Sequence, residues 1–175
     1  TAKRAPAIPP ATIEEVGASV RCIQAMPRAE KEALLDDIFK RQPNLLGHVL
    51  VLSNLGVPME KVDCALHVLL VLYDVFTRAA PDGLPEVTID ELEDIDDNHW
   101  ALMRLMESEK PDEASRLCQL AAKSHPEVNA FAYAIGKMIE SGISDMQKKE
   151  NEFCMRAVRN LVDAFARARR AGAAQ

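Results

Sequence analysis

The sequence predicts an all-α protein, a single-domain antiparallel bundle of about eight helices with a central apolar helical hairpin at residues 44–79. Three observations carry this. Every hydrophobic repeat has a helical period, and no segment alternates as a half-buried strand does. Prolines stand at the starts of the periodic segments, where their fixed φ and missing N–H suit a first helical turn. Glycine closes several of the segments. At 175 residues the chain has the size of one domain, and it can bury about two thirds of its unfolded surface without disulfides or metal.

The elements follow in order. Residues 1–11 carry Lys3 and Arg4 but no apolar stretch after them, so they read as a flexible N-terminal arm rather than a signal peptide. Thr12 is the expected N-cap of a first helix over 13–26, with Glu15 completing a capping box. Pro27 opens a second helix at 28–42, whose apolar stripe is Ala33, Leu34, Ile38 and Phe39. Pro43 opens a third at 44–55, closed by Gly56, and Pro58 a fourth at 59–79. Both are apolar around most of their circumference, which predicts a central position or a subunit interface. The short break between them predicts an antiparallel hairpin.

Pro81, Asp82 and Gly83 supply turn chemistry. Thr88 and Glu91 match a second capping box, starting a fifth helix over about 89–108. Pro111 and Pro126 precede a sixth at 112–125 and a seventh at 127–141, the latter ended by Gly142. Ser144 is the expected cap of the eighth and longest, 145–171. The domain is therefore drawn at 12–171, with 172–175 a disordered tail. The pattern of two prolines and a glycine around helices two and three recurs around helices six and seven. A helical-repeat scaffold that binds a peptide would use such hairpins, but the side chains scarcely match, and a compact bundle is the expectation.

The net charge of −6 argues against nucleic acid as the main partner. The cysteines Cys22, Cys64, Cys118 and Cys154 show no CxxC spacing, and the last three sit among apolar residues. They read as reduced core cysteines of a cytoplasmic protein. The longest apolar run, 65–76, is interrupted by His67 and Asp74 and is too short to span a membrane.

Six carboxylates crowd residues 90–97. At 100° per residue, Ile89, Leu92, Ile95, Leu102, Met103 and Met106 share one face, while Asp90, Asp94 and Asp97 fall opposite. Acids in the first turns also complement the helix dipole. A solvated face therefore explains the run. The stretch "EDIDD" is loosely similar to the aspartate-rich DDxxD pattern that holds magnesium against a diphosphate, but no second magnesium motif is present. Glu93-x-x-Asp96 is similar to half of an all-α nucleotide pyrophosphohydrolase motif, and its EExxE partner is missing.

Two weaker site hypotheses remain. His48 and His67 stand at about the same height in the hairpin, roughly 14–15 Å from its turn. Asp63 and Cys64 lie one turn before His67. With His99, which falls on the apolar face of the fifth helix, these residues are a candidate zinc or iron site. The alternative is a set of hydrogen-bonded core histidines. On the last helix Lys149, Arg156, Arg159, Arg167 and Arg170 fall within about a quarter of the circumference. This stripe is a candidate surface for an acidic protein partner, such as the 90–97 face of a second copy. No GxSxG, P-loop or GxGxxG motif appears. The expectation is a non-enzymatic interaction or regulatory module that forms homo-oligomers, with a helical metalloprotein or metal-dependent hydrolase as the alternative.

Overall fold

A computed structural model describes residues 9–80 and 83–172, and every regular element among them is an α-helix. They are α1 (Ile13–Ala25), α2 (Arg28–Arg41), α3 (Pro43–Asn54), α4 (Met59–Arg78), α5 (Ile89–Glu107), α6 (Pro111–Lys123), α7 (Val128–Glu140) and α8 (Lys149–Gly172). Residues 1–8 of the expected arm, Pro81 and Asp82 of the expected turn, and 173–175 of the expected tail lie outside the described residues.

The caps form as the residue types dictate. Thr12 Oγ1 accepts from Glu15 N–H at 3.1 Å, and Glu15 Oε2 accepts from Thr12 N–H at 2.7 Å. Thr88 and Glu91 repeat this at 3.2 and 2.8 Å. α3 and α7 end alike. Gly56 and Gly142 adopt left-handed φ values of 79° and 78°. Behind them Val57 N–H reaches Leu52 C=O at 3.1 Å, and Ile143 N–H reaches Met138 C=O at 2.9 Å. Val57 and Ile143 are both buried, which completes two Schellman motifs with their apolar contact. The echo in the sequence is thus an echo of cap chemistry.

α8 begins later than expected. Asp145 takes a turn of its own, its carboxylate accepting from Gln147 N–H at 3.1 Å and its carbonyl from Lys148 N–H at 3.2 Å. An Asx turn competes with helix here and wins.

α4 is the centre of the packing, with α1, α3, α7 and α8 against it. It buries Val62, Ala65, Val68, Leu69, Leu72 and Phe76. Phe76 stacks on Phe165 of α8 with ring centroids 5.3 Å apart. Each of these Val, Leu and Phe side chains contributes about 1.5–3 kcal/mol by leaving water. α3 pairs with α4 in the expected hairpin but buries only its Leu45, Leu46, Val49 and Leu52 side. Leu50, Val51 and Leu55 on its outer side are 46%, 43% and 49% exposed.

Two buried polar side chains tie the loops to this core. Gln42 is 1% exposed. Its amide donates to Pro85 C=O at 2.8 Å and accepts from Val87 N–H at 2.9 Å, pinning the segment before α5. Glu127 accepts from Ala11 N–H at 2.8 Å and pairs with Arg169 at 2.8 Å, while Asn129 donates to Ala11 C=O at 2.8 Å. Ala11, the last residue of the expected arm, is therefore buried and anchored by both its backbone groups. Cys64 and Cys154 are buried, but Cys22 is only half-buried and Cys118 is exposed, so the cysteines are not uniformly core residues. Among the described residues no helix is long and apolar enough to cross a membrane.

Candidate functional site

The acidic stretch of α5 and the basic stripe of α8 meet each other within one chain. Arg156 pairs with Asp96 at 3.3 Å, and Arg167 with Asp94 at 2.6 Å. Asn160 donates to Asp96 at 2.7 Å, and Arg159 Nη1 lies 3.1 Å from His99 Nε2. The stripe read as a surface for a second copy is in large part an internal seam. Lys149 and Arg170 alone of its five members are exposed. The cause is the register of α5 on α8, which helical periodicity does not contain. Asp94 is 63% exposed, so its pair adds at most about 1 kcal/mol.

The five candidate metal donors fall into separate surroundings. His48 turns from α3 toward Asp96, Arg156 and Ala157. His67 turns the other way, toward Lys137 and Lys31. Cys64 contacts Ser141 Oγ at 3.1 Å and Met138 Sδ at 3.8 Å, and Asp63 is exposed. His99 lies against Arg159. Among the described residues, no group of three or more His, Cys, Asp or Glu side chains is placed to hold a metal ion. Equal height in a hairpin did not mean a shared face. Burial holds His48, His67 and His99 below the ordinary imidazole range, with Lys137 adding to this at His67 and Arg159 at His99.

His125, which the sequence did not single out, forms the tightest imidazole–carboxylate contact. Its Nε2 lies 3.0 Å from Asp163, and its Nδ1 accepts from Glu127 N–H at 3.0 Å. The backbone donor fixes the tautomer, so Nε2 carries the proton and donates to Asp163. With both nitrogens engaged and Phe131 stacked 4.8 Å away, this imidazole orders the entry to α7 and has no free lone pair for a base.

Two grooves flank α8. The first, about 670 Å³, lies between α3, α5 and α8. Val51, Leu55, Ile89 and Phe153 make its apolar walls, with His48 and the carboxylates Glu93, Asp96 and Asp97 among its polar lining. The second, about 550 Å³, lies between α5, α6, α7 and α8 and is far more apolar. Trp100, Met103, Phe131, Ile135, Ile139 and Met155 line it, drawn from three helices, with α6 adding Ala121 and Ala122. Its polar members are Ser115, Cys118, Ser144, Glu152, Arg156 and the Arg159–His99 pair. Arg156 lies over the Trp100 ring, 4.9 Å from its centroid, and fixes that wall. Trp100, half-buried on α5, lines this cleft. Only the packing of four amphipathic faces creates the cleft, so no single motif announces it.

The fold and groove define an all-α helical bundle with an apolar cleft beside a seam of charge. No family model matches the chain, and no curated protein or solved structure matches it either.

Proposed function

We propose that the protein is a non-enzymatic helical binding module, and that the apolar groove between α5, α6, α7 and α8 is its binding site. One observation carries this reading: a cleft of about 550 Å³ whose walls are mostly aliphatic, aromatic and thioether side chains. Its size falls in the range of about 300–1,000 Å³ usual for ligand sites, which are mostly apolar with a few placed polar groups. The groove beside His48 fits an apolar ligand less well, since an imidazole, three carboxylates and Arg156 share its lining.

The test uses Nile red, a neutral dye that brightens in apolar surroundings. Saturable uptake by the wild-type chain is expected, with energy transfer from Trp100, the sole tryptophan. Ala122→Phe and Ser115→Phe, each placing a ring in the groove, are expected to cut uptake severalfold while leaving the helical circular dichroism intact. Equal uptake by both folded variants would place the apolar site elsewhere and sink the reading.

Self-association is a second reading, favoured by the outer side of α3. Leu50, Val51 and Leu55, with Met59 at 58% exposure, leave an apolar strip uncovered. A homo-oligomer through this strip predicts a concentration-dependent mass in sedimentation, abolished by Val51→Lys. A monomer at every concentration tested rejects it. The buried thiols of Cys64 and Cys154 favour a reducing, cytoplasmic setting.

A further inference from the structure

The five arginines of α8, Arg156, Arg159, Arg167, Arg169 and Arg170, differ in how their charge is met. Arg156 has Asp96, Arg167 has Asp94 and Arg169 has Glu127. Arg170 donates to the carbonyl of Ala166 at 3.1 Å and is exposed to water. Arg159 is half-buried, and its side-chain hydrogen-bond partner is an imidazole, His99. Among the described residues no carboxylate lies within ion-pair distance of Arg159.

The imidazole does not supply the missing charge. A guanidinium only donates, so His99 Nε2 must accept and its proton sits on Nδ1. Burial and the adjacent guanidinium both favour that neutral form. Nδ1 is buried without a hydrogen-bond partner, as is the side-chain oxygen of the neighbouring Asn160. Arg159 Nε is buried without a hydrogen-bond partner. The pair therefore carries one net positive charge and has donor capacity to spare; Asp96 and Asp163 act on it from a distance, and neither lies within ion-pair reach of Arg159.

The position of this charge is informative. On α8 the groove runs from Glu152 to Arg159, a span of about 10 Å at 1.5 Å per residue. Glu152, the one carboxylate of the groove among the described residues, marks the opposite end from Arg159. Beyond Arg159 and His99 a smaller cavity of about 240 Å³ continues, lined also by Asn98, Asp163 and Arg167. Asp163 there accepts a hydrogen bond from the neutral His125 and keeps its charge, while Arg167 is paired with Asp94. The arrangement is an apolar trough with a cationic end that opens into a small polar chamber. A trough about two helical turns long is short for an amphipathic partner helix, which docks through anchors at i, i+3 or i+4, and i+7.

Resting on the binding-module reading, we infer that the groove takes a single-chain carboxylate amphiphile, a medium-chain fatty acid, with its carboxylate at Arg159 and its chain along Phe131, Ile135 and Met155. Arg159 would meet the carboxylate with charge-assisted hydrogen bonds, the strong kind. The chain would exchange water for the apolar walls.

The experiment titrates the full chain with decanoate and with decanol, reading Trp100 emission and displacement of Nile red. Decanoate is expected to bind saturably, one per chain, and about tenfold or more tighter than decanol, as a hydrogen bond between charged groups implies. Arg159→Gln is expected to erase that preference while decanol and Nile red still bind, which shows the variant folded. Arg159→Lys is expected to keep part of the preference. Equal affinity for the two amphiphiles, or an unchanged preference in Arg159→Gln, overturns the headgroup assignment and leaves the groove as a binding site. Uptake of Nile red that neither amphiphile displaces overturns the ligand class in the same way. Failure of Nile red itself to bind removes the groove reading and this inference together.

Discussion

Gln42 shows how much one side chain can organise. Its amide offers one donor and one acceptor to a segment that has no helix to satisfy its backbone, and both are used, at Pro85 and Val87. Gln42→Ala would leave a half-buried carbonyl and a buried N–H without this partner. A loss of about 2 kcal/mol in urea denaturation is expected; a change under about 0.5 kcal/mol would mean that water replaces the amide without loss. Glu127 makes the stronger case. It is 6% exposed at the side chain and Arg169 13%, so their charges depend on each other. Glu127→Gln would keep the shape and a hydrogen bond to Ala11 but strand the guanidinium. A cost of about 3 kcal/mol or more is expected, because removing one partner leaves a buried charge unpaired. A near-neutral result would show that Arg169 swings out to water.

At the scale of elements, the seam between α5 and α8 grades its contacts by exposure. Asp96 accepts from both Asn160 and Arg156 and is only 31% exposed at its side chain, whereas Asp94 is 63% exposed. Asp96→Ala is therefore expected to destabilise by about 1–2 kcal/mol, and Asp94→Ala by under about 1 kcal/mol. The reverse order in chemical denaturation would show that the seam is held from its outer edge. Much of this scale was legible in sequence. The capping boxes at Thr12 and Thr88, and the glycines closing α3 and α7, are local chemistry, complete within a few residues. Asp145 was misjudged because a helix start and an Asx turn compete for the same residue type. The seam was not legible, since which carboxylate of six faces which arginine depends on how two helices are set side by side. The same holds for His48 and His67, placed at one height by arithmetic and on different faces by packing.

For the whole molecule, the histidines predict how stability depends on pH. His48, His67 and His99 are each held below the ordinary value of 6.5, first by burial. In the unfolded chain they take up protons near 6.5, while the folded chain resists until lower pH. Between those values the unfolded state binds more protons, so stability falls as pH falls. Their contribution is thus fully present above about pH 7 and is lost on acidification through 6.5 toward the folded values. Each proton accounts for at most about 1.4 kcal/mol per pH unit, less for the more solvated rings. Melting temperatures measured from about pH 7.5 to 5 should decline, and a triple His→Gln variant should flatten the decline. An unchanged slope in that variant would assign the loss to carboxylates instead.

The sequence by itself determined the helices, most of their boundaries, their caps and the apolar character of α4, because each depends on neighbours within a turn or two of chain. It also showed that the acidic run of α5 has a largely solvated face, since Asp90, Asp94 and Asp97 are exposed as the period requires. Only the tertiary structure decided that the basic stripe of α8 closes on that run, that the five metal candidates part company, that α3 leaves one side bare, and that four amphipathic faces enclose a groove. These are matters of register and rotation between distant helices. They are fixed by the joint packing of α3 to α8, and no periodicity along one helix encodes them.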